Sequence, residues 1–396
     1  MGTRVGVGFS DHRNPAEAGK EAAMKALEQA GVARPDFVFV FATVGYEQRS
    51  LIGAIRQATS RAPLSGCSGE GIITQEAVAE TNFGVSVMVI RSDELRFDHA
   101  SVREIGQGAA GAGERLAQEI RPLLRADSLA CFILADGLSF HFDPFAEAFE
   151  RTLGRGCPLP LYGGLAADNW ASRKTYQYQD DDVFSDGLCG VLLSGAGSIA
   201  GGVHHGCLPV GPRRTVTRSK GNRIYEIDGV AALKALEDYL DEDWRSEWNR
   251  ASLNLCLGFK APEHIKKDYD EFFIRYMMDM DEREGSVTVQ SDVPEGTDLW
   301  IMRRDRELIR SGLLGISRQI REQAGGRRPK FILHFECVGR GKVVFREKDK
   351  VEMIRTLQDD MGREVPWLGF YTYGEIGPIK DHNCFHNFSA VISAVY

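Results

Sequence analysis

The 396-residue sequence lacks the marks of a secreted or membrane-spanning protein. No stretch approaches the roughly 18 uninterrupted apolar residues that a membrane-spanning helix needs. The start of the chain, residues 1–9, is strand-like, and its apolar part is too short for the central region of a signal peptide. None of the eight cysteines forms a Cys-x-x-Cys pair, and most lie in apolar runs, as Cys131 does. We therefore expect reduced core thiols and a cytoplasmic protein.

An excess of positive charge is also absent. The chain carries 48 basic and 56 acidic residues, which gives a net charge of −8. Because nucleic acids and anionic membranes attract basic surfaces, this balance argues against both as partners. The hydrophobic fraction of 43% is sufficient for sizeable cores, and the length suggests about two or three domains. No low-complexity linker separates them. The sequence pattern changes in the middle of the chain to short strand and hairpin patterns, which places a boundary near residues 195–220.

Signatures of common enzyme families are missing as well. Gly106 and Gly108 lie inside a helical pattern instead of after a strand, so they do not form a dinucleotide fingerprint. The loop Gly66–Gly71 lacks the lysine of a phosphate-binding loop, and Glu70 stands where a hydrolase elbow has its last glycine. No kinase or zinc-protease signature is found. These absences favour a binding module over an enzyme.

What the sequence does contain is one order of parts in three segments. Each has an apolar strand, an amphipathic helix, a Pro-x-x-Gly motif and a second apolar strand. The segments are 37–90, 129–193 and 330–395. Although Pro-x-x-Gly is also a common connector, apolar strands alternating with amphipathic helices are typical of α/β proteins. We predict an α/β protein of two related halves, built from repeated strand–helix–strand units with mixed sheets.

The richest chemistry lies near the end of the chain, in Gly369–Pro378 and Phe385–Ser389, where aromatic, glycine, carboxylate, histidine and amide residues concentrate. The earlier segment Pro63–Ile72 shares the order Pro-x-x-Gly, short spacer, Gly-Glu. Glycines allow close approach to a ligand, and the polar groups supply hydrogen bonds. We predict a ligand site with two walls and backbone donors between them. One wall is Gly66, Cys67, Ser68, Gly69 and Glu70; the other is Tyr373, Gly374, Glu375 and Asn387; the donors are Gly163 and Gly164.

Several interpretations of these residues stay open. An amino acid would suit the site, with carboxylates for its ammonium group and loop N–H groups for its carboxylate. Glu70 and Glu375 could equally cap their own loops. An enzyme using Cys67 or Glu70 is a further alternative, although no base is adjacent to Cys67 in the sequence. The histidines lack zinc spacing, but haem iron needs only one axial histidine. Axial candidates are His204, His205 and His386.

Motifs along nearly the whole chain resemble the FIST proteins, sensory modules named for F-box and intracellular signal transduction proteins. Those motifs are Pro63–Gly71, Phe83–Val87, Tyr162–Asp168, Gly206–Pro212 and Tyr373–Pro378. The resemblance implies an N-terminal sensory domain at 1–205 and a C-terminal domain at 206–396. It implies a cytoplasmic small-ligand sensor without chemistry of its own.

Amino acids are among the ligands suggested for that family, and one branch looks like haem-binding nitric-oxide sensors. No kinase, cyclase or methyl-accepting segment is visible in this sequence. The resemblance therefore implies that any output passes through a separate signalling protein. It leaves the identity of the ligand open.

Overall fold

The computed structural model describes residues 2–154, 159–240, 242–261, 265 and 272–396. In these residues the chain forms three successive units with one order of elements, and the third unit carries an insertion. Each unit runs strand, helix, strand, helix, strand, hairpin, strand. No helix in the described residues is long and apolar enough to cross a membrane.

The first unit begins with an edge strand and a capped helix. Its elements are β1 (Thr3–Ser10), α1 (Pro15–Ala30), β2 (Phe37–Ala42), α2 (Gln48–Ala58), β3 (Leu64–Ser68), β4 (Ile72–Thr74), β5 (Val78–Ala79) and β6 (Val85–Ser92). The Asn14 side chain accepts hydrogen bonds from the N–H groups of Ala16 and Glu17, and Gly31 ends α1 in the left-handed conformation. Such a polar start and glycine end are typical of helix caps.

The second unit repeats this order without interruption. Its elements are β7 (Leu95–Arg103), α3 (Ala109–Ile120), β8 (Ser128–Ala135), α4 (Phe142–Leu153), β9 (Leu161–Leu165), β10 (Gln177–Gln179), β11 (Asp182–Phe184) and β12 (Gly187–Gly195). The apolar face of α4 packs on α3 and on the second sheet, which explains why phenylalanines recur along it at helical spacing.

The third unit is interrupted after its first strand, β13 (Ile199–His204). The insertion comprises β14 (Cys207–Pro209), β15 (Arg214–Lys220), β16 (Arg223–Ile227), β17 (Val230–Ala231), α5 (Ala232–Leu236), α6 (Trp248–Asn254), β18 (Cys256–Lys260), β19 (Phe272–Arg275), β20 (Met277–Asp281), β21 (Ser286–Val289) and β22 (Asp298–Arg304). The unit resumes with α7 (Arg306–Ala324), β23 (Phe331–Cys337), α8 (Glu347–Met361), β24 (Trp367–Thr372), β25 (Glu375–Ile379), β26 (His382–His386) and β27 (Ala390–Val395).

Each unit donates its hairpin to the sheet of another unit, so the three units form a closed ring. The sheet orders are β1-β6-β2-β3-β10-β11, β7-β12-β8-β9-β25-β26 and β13-β27-β23-β24-β4-β5. The pairs β2/β3, β8/β9 and β23/β24 are parallel, and the other pairs of these sheets are antiparallel. The predicted α/β class with mixed sheets and repeated strand–helix–strand units is confirmed. The unit occurs twice in the first part of the chain and once, interrupted, in the second, which relates the two halves.

The Pro-x-x-Gly motif has a structural cause that recurs in all three units. In each unit the proline carbonyl accepts a 2.9 Å hydrogen bond from the neighbouring parallel strand. A Cβ on Gly66 would lie 1.9 Å from the carbonyl oxygen of Val40, and one on Gly163 would lie 1.9 Å from that of Ile133. Gly369 has the same contact in the third unit. A side chain at these positions would overlap the adjacent backbone, so packing requires the glycine.

The inner faces of the three sheets pack against one another around an aromatic-rich core that includes Phe39, Phe132 and Phe335. Helix pairs α1/α2, α3/α4 and α7/α8 cover the outer faces, and the insertion has an apolar core of its own. The seven cysteines in the described residues are buried and unbridged, as expected; Cys157 lies outside those residues.

Candidate functional site

A cavity of about 350 Å³ lies where the second unit, the third unit and the insertion meet. The parallel strands β8, β9, β23 and β24 all end beside it, and the insertion closes the opposite side. Ligand sites of α/β proteins are commonly found at the carboxyl ends of parallel strands. The volume is within the range of small-molecule sites.

Two buried carboxylates shape the wall that the second unit contributes. Asp136 follows β8 and accepts two backbone N–H bonds that fix the turn at Gly137–Leu138. Asp168 follows β9 and accepts the backbone N–H groups of residues 172–174 at 3.0, 2.6 and 2.8 Å. Because both loops are held by these bonds, Trp170 is presented to the cavity as part of an ordered segment.

Tyr373 joins this wall to the third unit. Its hydroxyl donates a 2.8 Å hydrogen bond to Asp168 Oδ1 and accepts one of 2.8 Å from the Trp170 N–H. Burial raises the pKa of Tyr373 well above its ordinary value, and the nearby carboxylates of Asp168 and Glu70 add to this effect. The hydroxyl therefore stays protonated and remains a donor.

The wall from the third unit is formed by Cys337, Val338, Gly339 and Phe388. The Phe388 N–H donates to Cys337 Sγ at 3.2 Å. A Cβ on Gly339 would lie 2.5 Å from the Phe388 ring, so this glycine allows the ring to pack against the turn. Burial raises the pKa of the Cys337 thiol, which therefore lines the cavity as a neutral group.

Asn387 connects the third unit to the insertion. Its Oδ1 accepts the Tyr276 N–H at 3.1 Å, and its Nδ2 donates to Gln290 Oε1 at 2.5 Å. Tyr276 and Gln290 both line the cavity, as do Met278 and Asp279 of the insertion. The insertion thus presents aromatic, amide and carboxylate groups to the same space.

Arg304, at the end of β22, fastens the insertion to the third unit from behind this wall. Its guanidinium donates to the carbonyl oxygens of Gly339 and Leu253, and lies 5.2 Å from the centre of the Phe388 ring. Leu253 and Gly339 both line the cavity, so one side chain holds two of its walls together. Arg304 itself does not line it.

Two bulky residues that line the cavity have a strained backbone. Trp170 has a φ of 59° and Phe388 a φ of 54°, in the left-handed region that bulky residues avoid. In the described part of the chain, these are the two Phe, Tyr or Trp residues with such a backbone. Strain of roughly 1–3 kcal/mol per residue persists where surrounding contacts hold it, and such positions cluster at binding sites.

Of the eleven residues predicted from the sequence to bind the ligand, Tyr373 and Asn387 line the cavity. The remaining nine residues lie in or beside β3, β9 and β25, and none of them lines the cavity. Those nine are Gly66, Cys67, Ser68, Gly69, Glu70, Gly163, Gly164, Gly374 and Glu375. Cys67 is fully buried, and burial raises its pKa well above the ordinary value.

Glu70 is 1% exposed and lies next to the segment that forms the third-unit wall. Its Oε1 accepts a 2.8 Å bond from Lys342 Nζ, and its Oε2 has no hydrogen-bond partner. Burial raises the pKa of Glu70 to about 7, although Lys342 opposes the rise. The neighbouring Glu80 accepts the Lys342 N–H at 2.6 Å and the ammonium of Lys350 at 2.9 Å.

Glu375 has the contacts of a loop-capping carboxylate. It accepts the Thr372 hydroxyl at 2.5 Å and the Ser389 N–H at 3.1 Å. The side chain is fully buried, and burial raises its pKa well above the ordinary value. Each oxygen thus already has one protein donor.

The histidines considered for haem lie away from the cavity. His386 Nε2 donates to the Gly377 carbonyl at 3.0 Å, its ring stacks on Phe273, and burial lowers its pKa to about 3. His204 and His205 stack on each other, with ring centres 5.6 Å apart. Iron at His386 Nε2 would have to displace the bond to Gly377, so this conformation does not fit axial ligation there. The described residues also contain no cluster of three or more potential metal ligands.

Sequence reasoning missed most of the residues that line the cavity. Phe388 follows the predicted Asn387, and Trp170 lies two residues beyond Asp168, in the loop after β9, the strand that begins at the Pro-x-x-Gly motif of the repeat. Strand-end positions were therefore an available signal for both. Tyr276, Gln290 and the other insertion residues had no such signal, because the fold of the insertion brings them there.

Comparison with known proteins assigns a family. The FIST N domain matches residues 36–230, and the FIST C domain matches residues 232–378. An uncharacterized protein of Mycobacterium tuberculosis is 28% identical over 391 residues, covering 98% of each chain. An uncharacterized protein of Methanocaldococcus jannaschii is 22% identical over 384 residues, covering 92% of this chain and 70% of its own.

Solved structures show weaker similarity. A chorismatase has a TM-score of 0.36 and 9% identity, covering 100% of this chain and 99% of its own. A cyanuric acid hydrolase from A. caulinodans has a TM-score of 0.38 and 8% identity, with the same coverage. The family matches, in contrast, extend over most of the chain. The chain therefore belongs to the FIST family, whose domains are associated with sensory signal transduction.

Proposed function

We propose that this protein is a small-ligand sensor whose ligand binds in the cavity between the second unit, the third unit and the insertion. The observation that supports this most directly is that three parts of the chain share one 350 Å³ cavity lined by aromatic and amide groups. A molecule that fills it contacts all three parts, so it favours the arrangement in which they enclose it. In this proposal a separate cytoplasmic signalling protein recognises that arrangement.

Within this proposal Tyr373 and Asn387 contact the ligand directly. The Gly66–Glu70 segment, Gly163 and Gly164 act through the strand ends that position the cavity walls, and Gly374 and Glu375 support the turn beside Tyr373. The two proposed sensory domains, 1–205 and 206–396, contribute opposite walls. Binding in this way requires no catalytic group.

An amino acid is one candidate ligand. Asp279 offers a carboxylate to its ammonium group, and the amides of Gln290 and Asn387 offer hydrogen bonds. No basic side chain lines the cavity in the described residues, so a ligand carboxylate would depend on these amides. An aromatic or aliphatic side chain would pack on the rings and on Leu138.

The two alternative functions, haem sensing and catalysis, have less support from the contacts of their candidate residues. Haem at His386 would disrupt an existing buried hydrogen bond. Catalysis at Cys67 would need a thiol that is fully buried and whose pKa is raised. Glu70 has a pKa near 7, as an acid–base group needs, but it lies behind the cavity wall.

Thermal melts of the protein with each of the twenty standard amino acids, and then with other small metabolites, test the proposal. A ligand at a hundred times its Kd stabilises the folded protein by about 2.7 kcal/mol. Leu138 is 37% exposed at the mouth of the cavity, so Leu138→Trp should fill the entrance without disturbing the core. We expect the ligand-induced shift to disappear in this variant.

The matched control is Leu308→Trp, because Leu308 is 39% exposed on α7 and does not line the cavity. It should keep the full ligand-induced shift. A shift that persists unchanged in Leu138→Trp would place the ligand elsewhere and contradict the proposal. Failure of every tested compound to shift the wild-type melt would count against sensing by this cavity.

A further inference from the structure

The cavity walls carry no positively charged side chain in the described part of the chain. Among the same described residues, the one acidic side chain of the lining is Asp279, at the exposed rim. Tyr276, Tyr373 and Cys337 are neutral, because burial raises the pKa of each. An anion entering this space would lose hydration without meeting a countercharge. A cation, in contrast, would find a carboxylate of opposite charge at Asp279.

Aromatic rings from all three parts surround the space. Trp170 and Tyr373 have ring centres 6.0 Å apart and planes inclined by 51°. Tyr276 and Phe388 have ring centres 6.0 Å apart and planes inclined by 67°. Rings inclined to one another present faces in several directions, and ring faces attract cations through their quadrupoles. The left-handed backbone of Trp170 and Phe388 shows that the fold retains this arrangement despite its strain.

Charged groups behind the walls give the cavity a polarity. Asp168 accepts the Tyr373 hydroxyl, and Glu70 lies close enough to raise the pKa of Tyr373 further. On the other side, Arg304 lies behind the Phe388 ring and binds two carbonyl oxygens. The Tyr373 side is therefore the more favourable for a positive charge, and the Phe388 side is the less favourable.

From these features we infer that the ligand is a small organic cation whose quaternary or alkyl ammonium group lies against Trp170 and Tyr373. This inference rests on the proposed function, since it names the ligand class for the same cavity. The rings provide the contact with the cation, and Asp279 attracts it to the mouth. Gln290 and Asn387 are hydrogen-bonded to each other, and the second N–H of each amide can donate to an uncharged polar group of the same molecule.

The test compares two probes of the same shape. Choline carries a quaternary nitrogen, and 3,3-dimethylbutan-1-ol carries a neutral quaternary carbon in its place. Binding is measured by calorimetry and by tryptophan fluorescence. We expect choline to bind at least about tenfold more tightly than the alcohol, as cation–π contacts in a partly desolvated site predict. Trp170→Leu should reduce this preference to within about twofold.

Two further variants separate a folding defect from a lost contact. Asp279→Asn changes an exposed side chain and should weaken choline binding about two- to fivefold without affecting the alcohol. Tyr225→Leu removes a ring of the insertion that does not line the cavity, and should keep the full preference. Circular dichroism confirms that each variant is folded.

The outcomes distinguish this inference from the function on which it rests. Equal binding of choline and the alcohol, both lost in Leu138→Trp, would overturn the cation inference and leave the cavity as a ligand site. Binding of an anionic metabolite alone, lost in the same variant, would also overturn it. If neither probe nor any metabolite binds the wild-type protein, the proposed function fails together with the inference.

Discussion

The Tyr373 hydroxyl is a hydrogen-bonding link between the second and third units at the edge of the cavity. It donates to Asp168 Oδ1 and accepts from the Trp170 N–H, each at 2.8 Å. Replacing Tyr373 with phenylalanine keeps the ring and removes both bonds. The variant therefore measures how much this link contributes to the stability of the fold.

We expect Tyr373→Phe to lower the free energy of unfolding by about 2–3 kcal/mol. A hydrogen bond to a charged acceptor contributes about 1.5–3 kcal/mol, and a buried N–H that loses its acceptor costs about 1–3 kcal/mol. The full sum is not expected, because Asp168 keeps three backbone donors and the Glu70 carboxylate lies within reach of the Trp170 N–H.

The assay is denaturation by guanidinium chloride followed by circular dichroism, with Tyr371→Phe as the matched control. Tyr371 lies on β24, two residues before Tyr373, and is fully buried, but its hydroxyl has no hydrogen-bond partner. Removing an unpaired buried hydroxyl should leave stability unchanged or slightly raised. The two substitutions delete the same atom two residues apart, so the difference between them isolates the hydrogen bonds.

Two results would refute this reasoning. If both variants lose the same free energy, the loss comes from the packing of the two rings and not from the link to Asp168. If neither loses any, the hydroxyl of Tyr373 does not connect the units in solution. Either result would also weaken the case that the Trp170 segment is held in place for a ligand.

Three further predictions concern buried charges and a packed glycine. Glu70 has a pKa of about 7 in the folded protein against an ordinary 4.5, so between these pH values the folded state binds more protons than the unfolded state. The free energy of unfolding should therefore fall as pH rises from 4.5 to about 7. Denaturation curves at both pH values should show a smaller fall for Glu70→Gln than for the wild type. Gly66→Ala should prevent soluble folding, since its Cβ would meet a backbone oxygen at 1.9 Å. Gly53 lies on α2 with open space around it, so Gly53→Ala should stabilise the protein by about 0.5–1 kcal/mol in thermal melts. Equal soluble yields and equal melting temperatures for the two variants would contradict this. Arg340→Met should destabilise the folded protein by about 3–5 kcal/mol in urea denaturation, because it leaves the buried Glu336 carboxylate without its 2.6 Å partner. Adding Glu336→Gln to this variant should recover part of the lost stability.

The fold was largely predictable because its signals are local and repeated. Asn14, Pro15 and Gly31 mark the ends of α1, and each Pro-x-x-Gly marks the start of a strand parallel to its predecessor. Such residues act through their own backbone or the adjacent strand, so one sequence is enough to interpret them. The exchange of hairpins between sheets was not predictable, because it depends on how complete units pack.

The site was less predictable for a related physical reason. Glu70 and Glu375 follow similar glycine-containing strands because the unit is repeated. The similarity of their sequence surroundings therefore reflects a shared position in the unit. The glycines within those strands are required by packing against a neighbouring carbonyl, as at Gly66. Tyr373 and Asn387 stood out by their chemistry, and both line the cavity. Similarity between repeats is thus a better guide to the fold than to ligand contact.

The insertion explains why one junction of the ring differs from the others. The three units have one strand order, so they create three sets of parallel strand ends. The insertion follows β13 of the third unit, and Arg304 fastens it over the junction between the third and second units. The residues that distinguish this junction, Tyr276, Asp279 and Gln290, belong to the insertion and have no counterpart in the repeat. Ligand choice should therefore depend on both parts: the insertion supplies groups that this junction alone has, and the repeated units supply the strand ends that hold Trp170 and Tyr373 against the ligand.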